Sequence, residues 1–256
     1  AGMDFKHIIL ATLGGNIFLS IIAVLISIIA CKTGLTFALL TRYSFGSTGS
    51  KAASIFVPVV NLGWYTIQAA TYGHFVAQVF HMGQVGEGIC MAVSAIVMGI
   101  FAMCGIGAIT ILGYIAIPAI VFLSIATAIR SLGVIGGMEA LFAYVPSSDM
   151  PLFTGITAVI GTWVLSTATC IADIMRYAKD TKAAVSATLT GLLGGNILMI
   201  VCGAIAAIAM QNSDLTVILL GFGLVIPSLI LMTTNIFTTN AANLYSTSLN
   251  LSNAFK

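Results

Sequence analysis

The chain has 256 residues, of which 59% are hydrophobic and only 6% are charged, whereas an ordinary soluble domain carries roughly 25% charged residues. This composition excludes a soluble globular domain. The formal net charge of +2 is too small to indicate a nucleic-acid-binding surface, so no nucleic acid is expected among the partners.

Stretches without Asp, Glu, Lys or Arg indicate where the chain can cross a membrane. A bilayer core about 30 Å thick needs roughly 20 apolar residues per helix. Uncharged stretches of at least that length run over residues 7–31, 52–86, 88–129, 150–172, 183–213 and 215–255. The third is long enough for two helices and contains Cys-Gly-Ile-Gly at 104–107, so we divide it there. The sequence therefore predicts an all-α, polytopic transmembrane protein with about seven spans in the lipid bilayer.

Basic residues indicate which side of the membrane each connection faces. Lysine and arginine are concentrated at 32–51, after the first span, and at 176–182, after the fifth. The positive-inside rule places both segments in the cytoplasm, as expected for a multi-pass protein of the plasma membrane. The first residue then lies outside although no signal peptide precedes it, so we expect further spans on both sides of this sequence.

The first and sixth spans share a five-residue motif. Leu-Gly-Gly-Asn-Ile stands at 13–17 and again at 193–197. Chance is one explanation, since small residues are common at helix contacts in membranes. A duplicated half is the other, and because the two spans run in opposite directions the repeats would be inverted. Residues 1–130 and 150–256 would then be the later part of the first repeat and the first part of the second, within a single membrane domain, 1–256.

Polar residues inside a span must be satisfied by neighbours or by a ligand, and the second span has three of them on one face. Asn61, Trp64 and Gln68 follow each other at spacings of three and four, which is the helical period. The indole offers a stacking surface, and each amide offers donors and an acceptor. This set suits a flat heterocycle, while hydrogen bonding between helices is the alternative.

The fifth span is rich in Gly, Ser and Thr over residues 161–169, around the lone Trp163. We expect either an unwound segment whose backbone groups meet a ligand or a continuous helix whose hydroxyls bond back to its own carbonyls. An indole from this helix, opposite Trp64, would sandwich a planar substrate.

The last span combines amides and hydroxyls in an apolar helix. Asn235, Thr238 and Thr239 share a face, and Asn240 and Asn243 follow them. Hydroxyl and carbonyl oxygens are the hard ligands that alkali and alkaline-earth cations prefer. Because this set contains no carboxylate, it favours a monovalent cation, and sodium above others. Structural hydrogen bonding is the alternative.

The remaining charged residues and the cysteines are not assigned to a catalytic or binding site. Asp173 precedes Arg176 by three residues at the cytoplasmic end of its helix, which predicts an interfacial ion pair, with a proton relay as the second interpretation. The five cysteines have no paired spacing and are interpreted as small core hydrophobes. No nucleophile with a base and no metal-binding cluster is visible at membrane depth in the sequence, so we expect neither an enzyme nor a cofactor.

Motifs in a fixed order run through nearly the whole chain. They are Lys-Thr-Gly-Leu-Thr at 32–36, Arg-Tyr-Ser-Phe-Gly at 42–46, Gly-Trp-Tyr at 63–65, Ile-Pro-Ala-Ile at 117–120, Ala-Asp at 172–173 with Arg-Tyr at 176–177, and Asn-Ile-Phe-Thr-Thr-Asn at 235–240. Together they resemble the signature of the nucleobase:cation symporter family, which includes cytosine permease.

The resemblance implies the LeuT-type fold of two inverted five-helix repeats, of which this chain would cover the second to the eighth helix. It implies a substrate held between Trp64 and an aromatic of the sixth helix, which maps to Trp163 or to its neighbours Val164 and Ser166. The amides that bind the base would be Asn61, Gln68, Asn240 and Asn243, and the cation ligands would be Asn235, Thr238 and Thr239.

We therefore expect a secondary active transporter that imports a nucleobase such as cytosine together with sodium, with protons as the alternative coupling ion. A related heterocycle, such as uracil, a purine, a hydantoin or allantoin, is the nearest alternative substrate. A membrane receptor or subunit that does not transport would keep the fold without needing the cation site.

Overall fold

The computed structural model describes residues 2–255, apart from the side chains at 165, 166, 168, 215 and 216. Within this range all regular structure is helical, which confirms the predicted all-α class. The helices are α1 (Phe5–Thr33), α2 (Phe37–Val79), α3 (Gln84–Met103), α4 (Gly105–Ile135), α5 (Met138–Phe142), α6 (Leu152–Met175), α7 (Thr181–Leu189), a π-helical turn (Thr190–Asn196), α8 (Ile197–Met210), α9 (Leu215–Gly221) and α10 (Val225–Ala254).

Several of these helices have the length and composition of membrane spans. Among the described residues, α1, α3, α4 and the continuous run Thr181–Met210 are long and apolar enough to cross a bilayer. The helix α6 adds a fifth span, in which Leu152–Val164 and Thr169–Met175 meet at an angle of 48°. The two other predicted spans are α2 and α10, which are 43 and 30 residues long but carry the polar side chains of the candidate site.

The bend in α6 lies where the sequence is rich in Gly, Ser and Thr. Helical structure continues through this segment, so the helix is bent and does not unwind. Hydroxyls in the first half bond back as expected for a continuous helix, since Thr162 Oγ1 donates to Ala158 O at 2.8 Å.

A glycine divides α2 into a short arm (37–45) and a long arm (47–79). Gly46 has a φ of 70° and a ψ of −176°, a backbone conformation that glycine adopts far more readily than residues with a Cβ. Thr36 caps the short arm by accepting a hydrogen bond from the backbone N–H of Leu39 at 3.4 Å. The segment predicted to face the cytoplasm at 32–51 is thus largely helical.

The predicted division of the third uncharged stretch is confirmed. The helix α3 ends at Met103 and α4 begins at Gly105, whose φ of +77° turns the chain between them. Elsewhere, small residues let helices approach closely, as is common in membrane proteins. A Cβ on Gly73 of α2 would lie 2.4 Å from the Cα of Met91 in α3, so only glycine fits at this contact.

The two copies of the repeated motif meet in the structure. Asn196, at the end of the π-helical turn, donates from Nδ2 to Oδ1 of Asn16 in α1 at 2.7 Å. The amide of Asn16 in turn donates to the carbonyl of Thr12 at 2.9 Å. Nearer the C-terminal end of α1, the hydroxyls of Ser27 and Thr188 lie 2.8 Å apart and join α1 to α7 by a hydrogen bond. Two polar residues of the first span, Asn16 and Ser27, are therefore paired with polar residues of the sixth.

Hydrogen bonds also join helix ends to one another, at each of the two ends of the helix bundle. At one end, the backbone N–H of Met150 donates to Gly2 O at 2.7 Å, and His74 lies 2.7 Å from Glu87. Asp4 caps α1 here, and the hydrogen bonds that it accepts from His7 lower the pKa of its carboxyl. The opposite end, which the positive-inside rule assigns to the cytoplasm, collects the short arm of α2 and the C-terminal ends of α1, α6 and α10.

Candidate functional site

The long arm of α2 presents the predicted polar face. Asn61 is 1% exposed, and Trp64 and Gln68 are half-buried. Tyr65 lies on the same side of the helix and anchors it to α3 through a hydrogen bond from its hydroxyl to the carbonyl of Ala95. The three predicted residues therefore share one face of the helix, which is buried at Asn61 and half-buried at Trp64 and Gln68.

An amide from α10 joins this face. Asn240 is fully buried and donates from Nδ2 to the carbonyl of Tyr65 at 3.3 Å, with the Sδ of Met98 at 3.2 Å. Because the amide nitrogen must face the Tyr65 carbonyl, the oxygen of Asn240 points elsewhere. Tyr65 stands one helical turn from both Asn61 and Gln68, so Asn240 lies beside the polar face of α2.

The amide oxygens of this cluster have no partner among the described residues. Oδ1 of Asn61, Oε1 of Gln68 and Oδ1 of Asn240 are all buried and accept no hydrogen bond from that part of the chain. A buried acceptor left unpaired costs about 1–3 kcal/mol, and such groups in native proteins call for an explanation such as a missing ligand. Three predicted substrate amides thus offer free acceptors to a molecule that carries N–H donors.

The helix α6 reaches the cluster through a cysteine. Nδ2 of Asn61 lies 3.8 Å from Sγ of Cys170, which is 9% exposed. Cys170 was interpreted from the sequence only as a small core hydrophobe, and the available signal was its position one helical turn before Asp173. This contact brings α2, α6 and α10 together around Asn61.

The predicted aromatic partner of Trp64 packs against α1 and the π-helical turn. Trp163 and Val164 are half-buried and pack against Leu19 of α1 and Leu192 of the π-helical turn. Between residues whose side chains the structure describes, no ring contact joins Trp64 to Trp163. The side chain of Ser166, the other predicted residue of this helix, lies outside the described residues.

The predicted cation ligands form a compact group on α10. Thr238 donates its hydroxyl to the carbonyls of Thr234 and Asn235, both at 2.9 Å, and Thr239 donates to the Asn235 carbonyl at 2.9 Å. The hydroxyl hydrogens are thereby used within the helix, while the oxygen lone pairs stay available as acceptors. Asn243 is 4% exposed, and it makes no side-chain hydrogen bond to the described part of the chain.

The expected ion pair between Asp173 and Arg176 is wrong. Asp173 is fully buried and accepts hydrogen bonds from the backbone N–H of Phe37 at 2.9 Å and from the hydroxyl of Ser246 at 2.6 Å. Arg176 donates to the backbone carbonyl of Asp173 at 3.3 Å and to the hydroxyl of Tyr245 at 3.0 Å, and not to the Asp173 carboxylate. The helical spacing of the two charges was real, but the carboxylate turns inward to polar groups of other helices.

Comparison with known proteins identifies the family. Residues 1–256 match the family of permeases for cytosine/purines, uracil, thiamine and allantoin. The chain belongs to this permease family. It is 32% identical over 252 residues to the cytosine permease of Escherichia coli strain K12, a match that covers 98% of this chain and 59% of that protein. The relatives are permeases and not enzymes.

Solved structures with the same fold include two of Mhp1. One shows Mhp1, a nucleobase-cation-symport-1 family transporter, in a closed conformation with bromovinylhydantoin bound; it aligns with a TM-score of 0.84 at 18% identity and covers 100% of this chain and 61% of that chain. The other shows its inward-facing conformation, with a TM-score of 0.79 at 17% identity, and covers 98% of this chain and 58% of that chain. The expected LeuT-type fold is confirmed for the part that this permease-family chain covers.

Family membership and the apolar helices also confirm the predicted multi-pass membrane protein, which in bacteria resides in the plasma membrane. The chain spans about three-fifths of the length of the relatives that it matches.

Proposed function

We propose that this chain forms the substrate- and cation-binding part of a secondary active transporter that imports a nucleobase such as cytosine together with a cation. The observation that carries the proposal is the set of unpaired amide oxygens on Asn61, Gln68 and Asn240. They lie on two helices joined at Tyr65, next to an indole. The similarity to cytosine permease and the family's description support the same substrate class.

The chemistry of the cluster favours a flat, N–H-bearing heterocycle. Cytosine carries a ring N–H and an exocyclic amine, which match acceptors on the protein, and its planar ring can stack on Trp64. A site that hydrogen-bonds polar groups of its ligand rejects analogues without them, because the protein groups then stay buried and unpaired. Substrate choice would therefore depend on these three amides more than on the apolar walls.

Sodium is the proposed coupling ion, bound at Asn235, Thr238 and Thr239. The two threonine hydroxyls have already donated their hydrogens to backbone carbonyls, so their oxygens keep lone pairs as neutral, hard ligands of the type that sodium accepts. Protons are the alternative coupling ion. We further propose that residues 1–130 and 150–256 are parts of two inverted repeats that rock around the site.

Transport into proteoliposomes tests the proposal. The full-length protein is reconstituted, and uptake of radiolabelled cytosine is followed with an inward sodium gradient, with choline replacing sodium, and with a proton gradient alone. We expect uptake that depends on the sodium gradient and is lost in Trp64→Ala. Uptake driven by protons and indifferent to sodium would overturn the choice of ion, and cytosine binding without flux would favour a receptor.

A related heterocycle is the second candidate, because the family description includes uracil and allantoin and a solved structure of Mhp1 holds a hydantoin. Competition by unlabelled uracil, adenine, hydantoin and allantoin in the same uptake assay ranks these ligands. Stronger inhibition by one of them than by unlabelled cytosine would assign the site to that heterocycle.

A further inference from the structure

We infer that Asp173 holds closed a polar seam between α2, α6 and α10, at the end of the candidate site that is assigned to the cytoplasm. This inference rests on the proposed transport function. It assigns a role to a buried carboxylate that the substrate and cation sites do not use. Asp173 acts here as a positioning residue, because it holds helices together and does not touch the base.

Asp173 binds two other structural elements at once. Its Oδ1 accepts from the backbone N–H of Phe37, the first residue of the short arm, and its Oδ2 accepts from Ser246 of α10. The N–H groups of a first helical turn lack partners in their own helix and carry the positive end of the helix dipole. A carboxylate at this place therefore fastens the short arm to α6 and α10.

A layer of buried polar residues surrounds this contact. Asn253 near the end of α10 donates to the hydroxyls of Ser50 and Ser54 at 3.1 Å and 2.9 Å. Ser50 in turn donates to the carbonyl of Ala38 in the short arm at 2.7 Å. Both serines are 0% exposed. The short arm is thus held from α6 by Asp173 and from the long arm of α2 by Ser50.

The layer is continuous with the candidate substrate site. Cys170, in contact with Asn61, precedes Asp173 by one helical turn on α6. Polar residues step down the other two helices at helical spacing and share the faces that meet here: Asn61, Ser54 and Ser50 on α2, and Asn243, Ser246, Asn250 and Asn253 on α10. Each of the three helices therefore presents polar groups from the site to the end assigned to the cytoplasm.

Unpaired acceptors lie within the seam as well. Oδ1 of Asn250 and Oγ1 of Thr247 are buried and have no hydrogen-bond partner within the part of the chain that the structure describes, and Asn250 and Ser246 are 0% exposed. Burying such groups dry is unfavourable, and opening the seam to water would satisfy them. The closed arrangement is therefore held by a few directed hydrogen bonds against groups that gain by hydration, which suits a closure that must open during each cycle.

Cys170 provides a native reporter for opening, because it is buried at the inner side of the site and carries a thiol. In the full-length protein, the cysteines at 31, 90, 104 and 202 are replaced by serine, and labelling of Cys170 by N-ethylmaleimide is followed by mass spectrometry. Asp173→Ala removes both hydrogen bonds. We expect labelling to accelerate about tenfold or more, the factor expected when hydrogen bonds to a charged group are lost.

Matched variants separate closure from general loosening. Asp180→Ala removes an exposed carboxylate that caps α7 through the N–H of Ala183 at 2.8 Å, and it should leave the labelling rate unchanged. Asp173→Asn keeps an acceptor for Phe37 and should label at an intermediate rate. Ser246→Ala keeps the carboxylate, removes one bond, and should also accelerate labelling, which provides a second test if Asp173→Ala does not fold.

The outcomes are distinguishable from those of the transport assay. Equal labelling rates for Asp173→Ala, Ser246→Ala and the parent protein would overturn the inference, even if sodium-driven uptake is present. Equal acceleration by Asp180→Ala would also overturn it, because the effect would then be general loosening. Absence of uptake in the wild-type protein, with the labelling pattern intact, would instead overturn the proposed function and leave a polar closure in a protein of another activity.

Discussion

Replacing Asn61 with leucine tests whether the polar face of α2 binds a ligand or only holds helices together. The two roles predict opposite effects on the empty protein. An amide that serves as helix contact contributes hydrogen bonds that the substitution would remove. An amide that waits for a ligand carries an unpaired group that the substitution would relieve.

The structure gives the magnitudes. Among the described residues, Oδ1 of Asn61 has no partner, and Nδ2 makes only the long 3.8 Å contact with Cys170. Leucine has a similar shape, and removing one unpaired buried acceptor should leave the free energy of unfolding unchanged or raise it by about 1–3 kcal/mol. In the complex the same oxygen would accept from the base, so its loss should weaken binding by about 1–3 kcal/mol, roughly 5- to 150-fold.

Asn16→Leu is the matched control. Asn16 is equally buried but is fully engaged, since it donates to Thr12 and accepts from Asn196. Its replacement should lower stability by about 1–3 kcal/mol for the unpaired groups left behind, with no change in affinity for the base.

Thermal unfolding of the full-length protein without cytosine measures the change in stability. Titration with cytosine, together with unfolding in its presence, measures the change in affinity. The expected result is a melting temperature of empty Asn61→Leu that equals or exceeds that of the wild type, and a much smaller rise on adding cytosine. A clear fall in the melting temperature of the empty variant, with cytosine affinity within twofold of the wild type, would refute the reasoning and assign Asn61 to helix contact.

Three further predictions address stacking, the cation and packing. Trp64→Ala should weaken cytosine binding about tenfold or more, since stacking of a base on an aromatic is worth about 1–3 kcal/mol. Trp64→Phe should retain most of the affinity. Wild-type affinity in both variants would remove Trp64 from the site. Thr239→Val should raise the sodium concentration for half-maximal uptake roughly tenfold, because a contact to a charged group is worth about 1.5–3 kcal/mol. Thr110 is the control: it is exposed and makes the same bond to its own helix, so Thr110→Val should leave that concentration unchanged. Gly73→Ala should destabilise the protein by about 1–3 kcal/mol, since the new Cβ would overlap the backbone of α3. Gly63 has open space around it, so Gly63→Ala should not destabilise the protein. Similar melting temperatures for the two variants would contradict this prediction.

The positions of the spans could be predicted from the sequence because the length of a stretch without charged residues is a local property. The division at 104–107 was visible for the same reason, since two glycines interrupt an overlong apolar stretch. The short arm of α2 was not visible. Its direction depends on the backbone conformation of Gly46, and a glycine in sequence indicates freedom without showing which conformation it takes.

The candidate site divides in the same way. The polar face of α2 followed from the spacing of Asn61, Trp64 and Gln68, because helical periodicity is written in the sequence. Its partners did not follow. The bond of Asn240 to the Tyr65 carbonyl joins residues 175 positions apart, and the side chain of Tyr65 takes no part in it. Asp173 shows the opposite error, since a local spacing suggested Arg176 while tertiary packing supplied Phe37 and Ser246.

The bond between the two copies of the repeated motif cannot be symmetric. Two identical amides cannot both be donors in one hydrogen bond, so Asn196 gives its hydrogen to Asn16, while Asn16 gives its own to a carbonyl of its helix. The same amide therefore has two roles in the two copies: Asn196 supplies the hydrogen that joins the helices, whereas Asn16 supplies the oxygen and keeps its own hydrogen for Thr12.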